Sequence, residues 1–99
     1  MKIKDKAHFL KLLEKAIPET EKAWKNAKPG LPSPPQPGQY KALLDYLLKI
    51  QKNVTSGKLP SPNQRMRESL GWILVDNWDP ADPLGALILE LDTYYLKKM

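Results

Sequence analysis

The sequence predicts an all-α fold: a compact bundle of four to five helices with one proline-rich extended connector. Sixteen Leu and seven Ala stand against two Val, three Thr and five Ile. Leucine and alanine favour helix, whereas β-branched residues favour strands. No segment alternates apolar and polar residues with the period of two that a half-buried strand needs. Prolines fall where helices start or stop, which makes the element boundaries readable from the chain.

The first helix is expected from about Ile3 or Lys4 to Ala16, with Phe9, Leu10, Leu13, Ala16 and Ile17 at helical spacing. Pro18 removes a backbone donor and crowds the preceding turn, so it predicts a break or kink. Glu19 and Glu21 after it suit a new first turn, and a second helix to about Ala27 would bury Ala23, Trp24 and Ala27. The apolar stripe keeps its phase through the proline, so one kinked helix is the competing expectation. Residues 28–38, KPGLPSPPQPG, hold five of the ten prolines and should run extended, near polyproline II. PxxP matches occur there, among them Pro32–Pro35 and Pro34–Pro37, with no basic residue following at the useful offset. A stiff connector explains the stretch better than a docking motif.

The next helix is expected over Gln39–Thr55, burying Tyr40, Leu43, Leu44, Leu47, Leu48, Ile50 and Val54, with Gly57 as its stop. Ser61-Pro62 opens another helix, with serine as cap and proline in the first position. It should reach about Asp76 or Asn77 and bury Met66, Leu70, Ile73, Leu74 and part of Trp72. Asp82-Pro83 repeats the device for the last helix, which should bury Leu84, Leu87, Ile88, Leu91 and Tyr95. The stretch Leu70–Leu96 holds the longest apolar runs and reads as an antiparallel helical hairpin. The expected organisation is one domain over 1–99. It comprises a helical segment 1–27, kinked or split at Pro18, the connector 28–38, and a three-helix core 39–99 across which the N-terminal segment packs.

Ninety-nine residues suffice for one core without a disulfide or metal staple. The absence of cysteine excludes disulfides, thiolate metal sites and thiol nucleophiles. The basic start is followed by no apolar stretch of the kind a secretion signal needs, because Lys11, Glu14 and Lys15 interrupt it. No run approaches the roughly 18 apolar residues that span a bilayer, so a cytoplasmic protein without a transmembrane segment is expected. The net charge of +5 is unevenly spread: residues 1–75 carry fourteen Lys or Arg against six Asp or Glu, residues 76–99 two against five. That offers either a solvated basic face or a surface for an anionic partner.

No motif carries a recognisable catalytic constellation, so a non-enzymatic chain with no cofactor or metal is expected. His8, the sole histidine, lacks the partners that a nucleophile–base pair or a histidine metal site would require. Gly57-Lys58 lacks the upstream glycine of a phosphate loop, and Leu59 stands where Ser or Thr would bind magnesium. Asp76, Asp79 and Asp82 recur at intervals of three around the hairpin turn, out of register with a calcium loop. Capping and turn bonds explain them first. Trp78 sits among them, either covering the end of the hairpin or anchoring a partner. Asn63, Gln64, Arg65 and Arg67 lie early in the Ser61-Pro62 helix, and such side chains can read base edges.

The leading expectation is therefore a small binding or regulatory module acting through protein–protein contacts. Trp78 with Asp76, Asp79 and Asp82 would be its candidate surface, and self-association a variant. The alternative is nucleic-acid binding through residues 63–67.

Overall fold

Asp5 starts the first helix, α1 (Lys6–Asn26). Its carboxylate accepts the His8 N–H at 2.8 Å, and its carbonyl accepts the Phe9 N–H at 2.9 Å. His8 answers by accepting the Lys4 N–H on Nδ1 at 3.1 Å. Reciprocal bonds of this kind satisfy donors that a helix start otherwise leaves open. His8 is thus part of the cap. The computed structural model describes residues 3–26, 37–70 and 82–98, and within them three further helices follow α1. These are α2 (Pro37–Ser56), α3 (Pro62–Glu68) and α4 (Pro83–Lys97). Among the described residues there is no strand, and the all-α bundle is the observed class.

Helix α1 continues through Pro18 instead of breaking there. Phe9, Leu13, Ala16 and Thr20 are all buried on one stripe that passes the proline, while Pro18 itself is exposed. The carbonyl four residues back loses its helical donor on a solvated side, where water can replace it. Thr20, fully buried, donates its hydroxyl to the Ala16 carbonyl at 2.7 Å, so the stripe carries no unsatisfied hydroxyl.

Helix α2 ends in a Schellman turn. Gly57 takes φ +74°, its N–H donates to the Val54 carbonyl at 3.3 Å, and the Lys58 N–H to the Asn53 carbonyl at 3.1 Å. The two serine- and aspartate-led starts behave as the sequence indicates. Ser61 accepts the Gln64 N–H at 3.3 Å, and Asp82 accepts the Leu84 N–H at 2.9 Å.

The core joins α1, α2 and α4. Phe9, Leu13, Leu43, Leu47, Ile50, Ile88 and Leu91 lose essentially all exposure, and burying each such side chain stabilises the fold by about 1.5–3 kcal/mol. Helix α1 packs against both α2 and α4, and α3 packs against α4. Helix α1 thus shares its core with both α2 and α4. Phe9 stacks on Tyr94 with ring centroids 5.3 Å apart. The chain of α3 runs opposite to α4, since Arg65 meets Tyr95 while Ser69 meets Asp92.

Several boundaries differ from the sequence reading. Helix α2 begins at Pro37, because proline suits a first helical position; the extended course expected of the connector falls on residues outside those described. Helix α3 stops at Glu68 instead of near residue 76, with Ser69 in an extended conformation (φ −60°, ψ 136°). The Ser69 hydroxyl is drawn onto Asp92, a tertiary bond that local periodicity does not register. In so short a helix the inward face is taken by Arg65, only 5% exposed, while Met66 is 66% exposed. Leu48 also faces outward, at 44%, and Tyr46 takes a core position beside Leu47. The expected burial of Trp72, Ile73 and Leu74 lies outside the described residues.

Candidate functional site

Sequence reasoning points first to the acidic turn. Asp76, Trp78 and Asp79 lie outside the described residues. Asp82 caps α4 through its side chain, and its carbonyl accepts the Ala86 N–H at 3.0 Å. It also sits near Tyr40, whose phenol is pushed up first by burial and then by the Asp82 charge.

The proposed base-reading quartet is divided. Asn63, Gln64 and Arg67 are exposed, and Gln64 Nε2 donates to Glu68 Oε1 at 3.2 Å. Glu68 is also paired with Lys49 at 2.9 Å, tying α3 to α2; Lys49 and then Gln64 hold the Glu68 carboxyl below its ordinary range. Arg65 points the other way. Its Nη1 donates to the Tyr95 carbonyl at 3.0 Å, and its guanidinium lies 5.5 Å from the Tyr95 ring centroid. A cation placed at the carbonyl end of α4 complements the helix dipole. Arg65 therefore fastens α3 to α4 and is not displayed with Asn63, Gln64 and Arg67.

The structure instead brings together a polar cluster that the sequence reading missed. Asp92 is buried within α4. Its Oδ1 accepts the Tyr46 hydroxyl at 2.5 Å, and its two carboxylate oxygens accept the Ser69 hydroxyl at 3.0 and 2.9 Å. Burial pushes the Tyr46 phenol far up, followed by the hydrogen bond to Asp92 and its charge; Ser69 opposes weakly. Asn53 Nδ2 adds a second link from α2 to α4, donating to the Tyr95 hydroxyl at 3.2 Å. The phenol stays protonated and serves as a fixed donor, and a charged acceptor makes its bond stronger than a neutral one. The signal was present: Asp92 shares the helical face of Ile88, Leu91 and Tyr95, and a carboxylate on an apolar stripe needs donors from elsewhere. Through these bonds the cluster ties α2, α4 and the end of α3 together.

Clefts open on the described surface, three of which are lined as follows. One of about 290 Å³ lies between α1 and α4, lined by Lys15, Glu19, Pro83, Leu84 and Leu87. Another, about 340 Å³, follows the outer side of α1 from Pro18 to Asn26. The third, also about 340 Å³, is built where the start of α1 meets the ends of α2 and α4. Val54, Leu59 and Tyr94 supply its apolar surface, Gly57 its turn, and Lys6 and Lys98 its two cations. Leu59 is 41% exposed there, on the chain leaving the Schellman turn. Tyr94 is held in place by its stack on Phe9. This cleft combines a rigid aromatic wall, an open leucine and unbalanced charge. Among the described residues no helix is long and apolar enough to cross a membrane. No protein-family model matches the chain, and neither a curated protein nor a solved structure shows significant similarity to it.

Proposed function

We propose that this chain is a non-enzymatic binding module that acts by contacting another protein, with the cleft between Lys6, Leu59, Tyr94 and Lys98 as its docking place. The observation that carries the reading is the open Leu59 beside a Tyr94 ring already fixed by Phe9. Binding sites gain from such preorganisation, because less side-chain freedom is lost on association. The buried Asp92, Tyr46 and Arg65 support it from the other side, since their polar groups serve the fold's own helix contacts.

Trp78 with Asp76 and Asp79 belongs to the same proposal as a second candidate anchor. A photocrosslinking residue at position 59, compared with one at exposed Lys52 and one at position 78, tests it in cells that make the protein. The reading expects a discrete crosslinked protein at 59 or 78 that is absent at 52. Identical background labelling at all three positions would count decisively against it.

A further inference from the structure

We infer that the segment docking in the Lys6–Leu59–Tyr94–Lys98 cleft is an acidic peptide stretch carrying one large apolar side chain. This rests on the binding-module reading above. The cleft is small: about 340 Å³, at the low end of the roughly 300–1000 Å³ of ligand pockets. It suits one or two side chains, not a folded element. Val54 forms buried floor, while Leu59 and Tyr94 are left to be covered.

The described lining of the cleft carries charge of one sign, and the neighbouring Asp5 carboxylate is engaged as the cap of α1. Lys6 and Lys98 line the cleft with no carboxylate among its described lining residues, and exposed Lys58 follows Gly57 directly. Among the described residues, ion pairs engage Lys25, Lys41 and Lys49, leaving the three lysines at this end without an acidic partner. Helix termini do not supply the attraction: the positive end of α1 already holds the Asp5 carboxylate, which accepts the His8 N–H, and the carbonyl ends of α2 and α4 would repel an anion. Of those carbonyls, Asn53 and Val54 are engaged by the Schellman turn, and Tyr94 by the Lys98 N–H at 2.8 Å. Lys6, Lys58 and Lys98 therefore favour carboxylates flanking an inserted leucine or phenylalanine.

The test uses amide NMR of the full chain titrated with three capped nine-residue peptides. One has a central phenylalanine among glutamates, one has that phenylalanine replaced by alanine, and one has the glutamates replaced by lysines. The inference expects saturable shifts at Val54, Gly57, Leu59 and Tyr94 with the first peptide alone. It also expects binding to weaken several-fold between about 50 and 300 mM salt, as screening of exposed charges dictates. Lys6→Glu with Lys98→Glu, both at exposed positions, should weaken it tenfold or more while leaving the core amide spectrum unchanged. Equal binding of the lysine peptide, no binding of the first, or shifts confined to another face would overturn it. Shifts with dodecanoate but not with the acidic peptide would also overturn it, in favour of a small amphiphile. A crosslinked protein partner whose capture is indifferent to the double lysine change would defeat this inference while sparing the binding-module reading.

Discussion

Tyr46 and Asp92, 46 residues apart in sequence, share a 2.5 Å hydrogen bond inside the bundle. It bridges α2 and α4 beside the Ser69 contact that ends α3. One carboxylate thus ties three parts of the chain. Removing Asp92 should strand the Tyr46 hydroxyl, and each buried orphan costs about 1–3 kcal/mol. Asp92→Ala is therefore expected to cost about 3 kcal/mol and Tyr46→Phe about 1–2 kcal/mol. In the double variant Tyr46→Phe should add little, because its partner has already gone. Urea unfolding of the four proteins measures the coupling, and strict additivity would mean that the bond contributes nothing.

The same pair sets behaviour in alkali. Burial first, and Asp92 second, push the Tyr46 phenol above its ordinary value, and burial with Asp82 does so for Tyr40. The folded state then holds these protons more tightly than the unfolded state. Their contribution is fully present below about pH 10, the unfolded tyrosine value, and is lost as pH rises through the folded values. Each unit above about 10 should cost at most about 1.4 kcal/mol for Tyr46. Lysine titration is common to wild type and Tyr46→Phe, so the difference in slope between them isolates the phenol. Parallel slopes from pH 9 to 11 would contradict the assignment.

Gly57 and Gly38 should respond oppositely to alanine. An added Cβ meets nothing within 4 Å at either site, so space does not decide the outcome. Gly57 holds φ +74°, where an L side chain costs about 1–2 kcal/mol. Gly38 lies in the first turn of α2, where alanine restricts the unfolded chain and should stabilise by about 0.5 kcal/mol. Thermal unfolding of the two variants, one shifted down and the other slightly up, checks both signs.

Arg65 and Met66 make a similar contrast. Arg65→Ala loses the bond to the Tyr95 carbonyl and the packing on its ring, with an expected cost of about 2 kcal/mol. Arg65→Met keeps most of the stem and removes a buried charge whose Nε has no partner, so its cost should stay near 1 kcal/mol. Met66→Ala should fall within about 0.5 kcal/mol of wild type, as exposed substitutions do. A Met66→Ala loss as large as that of Arg65→Ala would mean that Met66, not Arg65, is the inward residue of α3.

These residues show what the sequence could reveal. Ser61, Asp82 and Gly57 were legible because a cap or an αL stop is decided within a few residues. Arg65 was not, because seven residues make too few turns to define an apolar stripe, and the inward face is chosen by Tyr95. The end of α3 was set by Asp92 through Ser69, a partner 23 residues away. The Tyr46–Asp92 clamp was half visible: Asp92 stood on an apolar face, but only the packing of α2 against α4 identified its donor. The cleft was less legible still. Lys6, Leu59 and Lys98 belong to the ends of separate elements, and no spacing rule joins them.

Pro18 tests how far packing overrides local preference. In a helix interior proline is about 3 kcal/mol less favourable than alanine. Yet α1 runs through it with Leu13, Ala16 and Thr20 buried in phase. The helix persists because the central stripe is packed on both α2 and α4, and the proline occupies the exposed side. Pro18→Ala restores a donor for the carbonyl of Glu14 and removes the ring's crowding of that turn. Part of the gain is offset, since proline also restricts the unfolded chain by about 0.4–1 kcal/mol. A net stabilisation of about 1–2 kcal/mol is expected, raising Tm by roughly 4–8 °C per kcal/mol in a domain this size. A loss of stability instead would mean that the core requires a bend at Pro18, and that the Thr20 hydroxyl bond to Ala16 belongs to that bend.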